Sequence, residues 1–155
     1  MTYYSRKNTR IPGYDYSSNQ YYFITICTDH RKCIFGSPGH LNQLGRIVQK
    51  HIKQIPSFYD NVKIDHYVVM PNHIHMIVVL GNFEKNPNLS ILVSMFKSGI
   101  TKEIRKFHPE MSVWQRSFHD HIIRSQAAYE KIWLYIENNP LKWEEDCFYS
   151  ANQKM

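Results

Sequence analysis

The chain has few cysteines, and none sits where cysteine chemistry would want it. Cys27, Cys33 and Cys147 are odd in number and form no CxxC pair. That excludes a disulfide framework and a cysteine zinc site, and makes a reducing cytosol the expected setting. No apolar run approaches the roughly 18 residues of a membrane span. The opening MTYYSRK leads into no apolar signal core, so neither membrane insertion nor secretion is expected. Internal repeats, low-complexity tracts and linkers are missing as well. The 155 residues are therefore expected to form one domain, 1–155, large enough for a proper core, with 1–19 as a basic arm. An acidic balance is also lacking. The net charge of +6 suits a polyanionic partner such as nucleic acid, although many small proteins are basic without one. Aromatics at 14%, with 11 tyrosines, suit base stacking and a well-filled core alike.

What is present is strong patterning. Residues 20–28 (QYYFITICT) are dense in β-branched and aromatic side chains and predict a first strand. Leu41, Leu44, Val48, Ile52 and Ile55 recur at helical spacing, which predicts an amphipathic helix ended by Pro56. Residues 62–70 read as a second strand. Pro71 and Asn72 signal a turn, so the apolar run after them predicts an antiparallel hairpin. A second helix is expected over 89–107, a short strand over 112–115, an edge strand or irregular lead-in over 118–124, and a last helix over 126–138 stopped by Pro140. The order fits an α+β, ferredoxin-like split βαββαβ antiparallel sheet with helices on one face, plus the C-terminal helix. Trp143 and Phe148 are expected to anchor the tail by packing.

Two places hold side chains with chemical potential. In the strand after Pro71, alternation points His73 and His75 to one face with Ile77 and Val79, and Ile74, Met76, Val78 and Leu80 to the other. Paired neutral imidazoles are a common half of a metal site, but two histidines at this spacing also serve simply as packing. In the last helix, Tyr129, Ile132, Trp133 and Ile136 form the core-facing stripe at i, i+3, i+4 and i+7. Packing thus accounts for Tyr129. Tyr135 lies roughly 110° from the centre of that stripe, and Asn139 follows it by about one turn on nearly the same face. Pro140 biases Asn139 away from helical geometry. Asn139 then reads either as a helix stop, with Tyr135 at the boundary, or as an amide oxygen joining the histidines on a metal beside a tyrosine nucleophile. A tyrosine hydroxyl is a poor nucleophile at neutral pH unless a metal polarises the phosphodiester it attacks.

The motifs YDYSSNQYYFITICT (14–28), VVMPNHIHMIVVL (68–80), SMFKSGITKEI (94–104), VWQRSFHDHIIRS (113–125) and YIENNPLKW (135–143) carry a family resemblance. Together they resemble the single-tyrosine HUH transposases, in particular the group associated with repetitive extragenic palindromes (REP) in bacteria. The resemblance spans nearly the whole chain. It implies cutting and joining of single-stranded, hairpin-forming DNA through a 5′-phosphotyrosine intermediate, with a bacterial cytoplasmic setting and association with the nucleoid when bound to DNA. It further implies Tyr135 as nucleophile, His73, His75 and Asn139 as metal ligands, and a divalent ion, Mg²⁺ or Mn²⁺. Imidazole favours Mn²⁺, and substrate oxygens would complete the shell of either ion. Relatives include monomers and homodimers, so a dimer is possible in principle. Where an aromatic pair is the family's habit, this chain has Phe118 followed by His119, which makes His119 and His121 candidate polar groups near the site.

Arg124, Lys97 and Lys102 are candidate phosphate contacts, although the cations of the second helix equally suit a solvated face. A contrasting class is a non-catalytic single-strand-binding module on an RNA-recognition-like sheet, which shares the βαββαβ order. The set His73, His75, Tyr135 and Asn139 argues against it. A zinc hydrolase ranks last, because the nearest acids in sequence, Asp65 and Glu137, lie off the expected face.

Overall fold

The computed structural model describes residues 20–81 and 87–145, so the expected basic arm and Phe148 lie outside it. The elements are β1 (Tyr21–Cys27), a small ribbon of β2 (Gly36–Ser37) and β3 (His40–Leu41), α1 (Gln43–Phe58), β4 (Val62–Met70), β5 (His73–Leu80), α2 (Leu89–Ile104), β6 (His119–Ile123), α3 (Gln126–Asn138) and a closing 3-10 segment (Asn139–Glu145). The main sheet is antiparallel with strand order β4-β5-β1-β6. This is the ferredoxin-like split arrangement expected from the patterning.

Alternation along the strands sorts their side chains into two cores. Tyr22, Ile24, Ile26, Ile74, Met76, Val78 and Leu80 pack with Leu44, Val48 and Ile52 of α1 and with Leu92, Phe96 and Ile100 of α2. On the opposite face Ile77, Ile123 and Ile136 form a smaller buried set, bordered by Phe23, Val68, Val79, Tyr129, Ile132 and Trp133. The sheet thus lies between a two-helix layer and α3, as the sequence stripe of α3 required. Among the described residues no helix is long and apolar enough to cross a membrane.

Three local expectations need correction. Pro56 does not end α1. It sits in the last turn, where its missing N–H forfeits a single bond, and the helix runs on to Phe58 before Tyr59 N–H closes on Ile55 O at 3.3 Å. The helix begins two residues later than Leu41, with Asn42 as the cap that accepts from Gly45 N–H at 2.9 Å. Residues 112–115 form no strand, only an isolated bridge between Thr28 and Trp114. The bridge makes two backbone bonds, Asp29 N–H to Val113 O and Gln115 N–H to Cys27 O, both at 2.9 Å, while Gln115 O accepts from Lys97 Nζ at 2.7 Å, as does Ser117 O beyond it at 2.9 Å. Finally, Asn139 keeps helical dihedrals (φ −56°, ψ −44°) despite Pro140. The chain tightens from α into 3-10 winding at that point, so the turn carrying Asn139 is continued rather than broken.

Residues 118–124 resolve as the edge strand β6, paired with β1. In β4 the register slips between Ile64 and His66. Asp65 is the extra residue, a bulge that turns two consecutive polar side chains toward α3.

Candidate active site

The site lies on the α3 face of the sheet. Register sets His73 opposite Cys27 and Met70, and His75 opposite Thr25 and Val68, so both imidazoles stand on the face predicted for them. They are 0% and 2% exposed, and their ring centroids are 4.6 Å apart. Burying two imidazoles is costly unless their nitrogens are used. Each Nδ1 is held: His73 Nδ1 donates to Asn72 Oδ1 at 2.7 Å, and His75 Nδ1 meets Thr25 Oγ1 at 2.8 Å. Because Asn72 Oδ1 is an acceptor, a proton sits on His73 Nδ1, which leaves Nε2 as the nitrogen that can offer a lone pair. Asn72 is itself tied down. Its Nδ2 donates to Arg31 O at 3.2 Å, and its carbonyl accepts from Thr28 N–H and Oγ1, both at 3.0 Å. Burial, then the adjacent His73, holds the His75 imidazole well below its usual range. His75 is therefore neutral at physiological pH, the form that binds metals.

The last helix brings the other half. The Tyr135 ring lies 5.3 Å from that of His75 and edge-on to Phe23 at 6.2 Å, while Phe23 stacks on His75 at 5.2 Å. Tyr135 is 41% exposed and Asn139 is 3% exposed. One turn of helix thus presents an open phenol and a buried amide. Trp143 does anchor the tail, with its ring over His73 at 6.1 Å. His73 Nε2, His75 Nε2 and Asn139 Oδ1 are all buried atoms. Two imidazole nitrogens and an amide oxygen fit a divalent ion such as Mn²⁺ that tolerates mixed N and O donors. Among the described residues no cluster of three His, Cys, Asp or Glu is present, so any ion here would draw its remaining ligands from substrate and water.

Other expectations fall elsewhere. Tyr129 is a packing residue whose hydroxyl donates to Asp65. Glu137 Oε1 lies 3.2 Å from His66 Nε2, and the His66 ring stacks on Trp133 at 4.2 Å. Both acids are thus engaged at the β4 bulge. His119 and His121 are exposed and stand opposite Thr25 and Phe23 in β6, on the site face but at its margin. Arg124 follows the end of β6 and lines a crevice with Tyr21 and Tyr129. Lys97 and Lys102 belong to α2, across the sheet from the histidines, and line a surface groove with Ser98, Thr101 and Arg105. Sequence reasoning missed Thr25, Asn72 and Phe23. The two strand residues were visible as same-face neighbours of a strand pairing with β5, but Asn72 read only as a turn former.

Comparison with known proteins bears on this geometry. Residues 16–139 match the family described as Transposase IS200 like. The chain belongs to that family. An uncharacterised protein of Haemophilus influenzae is 36% identical over 93% of this chain and 93% of its own. A second protein of that organism, assigned as a REP-associated tyrosine transposase, is 27% identical over 83% of this chain and 74% of its own. Among solved structures, a REP-associated tyrosine transposase bound to a REP hairpin superposes with a TM-score of 0.62 at 22% identity, covering 92% of this chain and 74% of that one. The resemblance read from the motifs therefore stands, and with it membership of a family of DNA-processing transposases.

Proposed function

We propose that this family member cleaves and rejoins single-stranded DNA by transesterification at Tyr135, at hairpin-forming sites like the one bound by its structural relative. One observation carries the reading: the exposed Tyr135 ring lies against His75, beside a pair of buried histidines fixed by Asn72 and Thr25. Tyr135 Oη would form a bond to phosphorus as the P–O3′ bond breaks. The phenolic proton passes to solvent, and the departing oxygen takes a proton to become a free 3′-hydroxyl. The product is a 5′-phosphotyrosine, and attack on it by a 3′-hydroxyl reverses the step. His73, His75 and Asn139 are the residues to hold a divalent ion, Mg²⁺ or Mn²⁺, whose contribution when bound is Lewis-acid polarisation of a phosphoryl oxygen. The chain's own part is positioning. Phe23 and His75 fix the phenol ring, and the continuous winding through Asn139 sets its distance from the strand.

The test is incubation of the protein with single-stranded hairpin DNA and Mn²⁺ or Mg²⁺, followed by denaturing electrophoresis. Wild type yields a covalent protein–DNA adduct that chelator abolishes. Tyr135→Phe yields none, and Tyr59→Phe behaves as wild type. Adduct formation by Tyr135→Phe would overturn the choice of nucleophile. No adduct on any hairpin with either ion would favour a binding module without chemistry.

A further inference from the structure

A crevice of about 450 Å³ opens where β6 turns into α3, lined by Tyr21, Ile123, Arg124, Ser125, Gln126 and Tyr129. Tyr21 is 43% exposed and meets the Tyr129 ring edge-on at 5.8 Å. Tyr129 is fixed in turn by Asp65, so the aromatic wall is rigid. Arg124 is exposed and supplies the cation of the lining. Gln126 Nε2 is already given to Glu130 at 3.0 Å. Tyr21 of the crevice lies on the strand that also carries Phe23. Tyr21 and Phe23 share one face of β1, about 7 Å apart along the strand, and Phe23 touches both His75 and Tyr135. Exposed His121 stands beside Phe23 in β6.

We propose that this crevice is a nucleotide subsite. It holds a nucleotide of the single strand next to the reacting phosphodiester, with the base on Tyr21 and the phosphate on Arg124. An open tyrosine ring stacks any base, and a guanidinium matches phosphate oxygens with paired planar donors. The Tyr21-to-Phe23 path then aligns the strand with the Tyr135 hydroxyl. This inference rests on the single-strand reading above but concerns binding alone, so it is tested apart from chemistry.

The experiment measures fluorescence anisotropy of a short labelled deoxy-oligonucleotide at several salt concentrations. It is done without divalent ion, in a Tyr135→Phe background. Tyr21→Ala is expected to weaken binding about tenfold, with Tyr21→Phe restoring it. Arg124→Gln is expected to weaken binding and to lower the salt slope by about 0.7, the loss of one phosphate contact. Lys53→Gln, on α1 across the sheet, leaves both quantities unchanged. Arg124 is exposed, so its loss does not disturb folding, and thermal melting checks Tyr21→Ala. Unchanged affinity and slope in both Tyr21→Ala and Arg124→Gln would overturn the subsite even where wild type forms the adduct. Weakened binding in a protein that never forms an adduct would keep the subsite and overturn the chemistry instead.

Discussion

The two faces of the sheet share every strand and serve different ends. Toward α1 and α2, Ile74, Met76 and Val78 of β5 are sealed in a broad apolar core. Toward α3, the alternate residues of the same strand are His73, His75 and Ile77, and the buried apolar set there, among the described residues, is Ile77, Ile123 and Ile136. The first face is closed by two helices. The second is covered by one, with Tyr21 and Tyr135 left open at its margins. Alternation in a strand allows this division, because stability can be built on odd or even positions without touching the others. The cost of a thin second core is met by specific ties: Tyr129 to Asp65 and the stack of His66 on Trp133, both made at the bulge in β4.

Substitutions one residue apart in β5 put this division at risk. Met76→Ala opens a cavity in the closed core and is expected to cost about 2–5 kcal/mol in urea unfolding, the largest effect on stability. His75→Ala leaves the Thr25 hydroxyl without its partner and costs less, about 1–3 kcal/mol, yet it is expected to remove adduct formation altogether. A His75→Ala protein that forms the adduct at the wild-type rate would break the comparison.

A smaller effect sharpens it. The bond to Asp65, followed by burial, pushes the Tyr129 hydroxyl up to about 12, whereas an unfolded tyrosine ionises near 10. The folded state therefore keeps this proton longer. Its stabilising contribution is full below about pH 10 and is lost as pH rises towards about 12. Tyr129→Phe is expected to cost about 1–2 kcal/mol at neutral pH and to flatten the alkaline fall in stability relative to wild type. Parallel alkaline profiles for the two proteins would show that the tie to the bulge contributes nothing.

Much of this was legible in the sequence, because periodicity is a local signal. The alternation of residues 73–80 assigned each side chain to its face, and the stripe Tyr129, Ile132, Trp133 and Ile136 identified the buried side of α3 and left Tyr135 off it. What escaped depends on partners distant in the chain. The hold of Asn72 on His73 looked like a turn until its amide was seen bound to Arg31 O. The pairing of Thr25 with His75 needs the register of β1 on β5. Proline misled twice, for different reasons: at Pro56 one missing N–H costs little in a last turn, and at Pro140 the steric bias on the preceding residue did not prevail. Pro56 lies inside α1, and Asn139 stays helical ahead of Pro140. The second case is the one that matters, since it keeps Asn139 in line with Tyr135.

The central claim, that Tyr135 and not the neighbouring Tyr129 takes the DNA phosphate, can be read in one measurement. Trypsin separates the two tyrosines, because Arg124, Lys131 and Lys142 bound the peptides SQAAYEK and IWLYIENNPLK. Mass spectrometry of the nuclease-trimmed adduct is predicted to place the nucleotide on IWLYIENNPLK, whose one tyrosine is Tyr135. A nucleotide found on SQAAYEK, or on any other tyrosine peptide, would contradict the account.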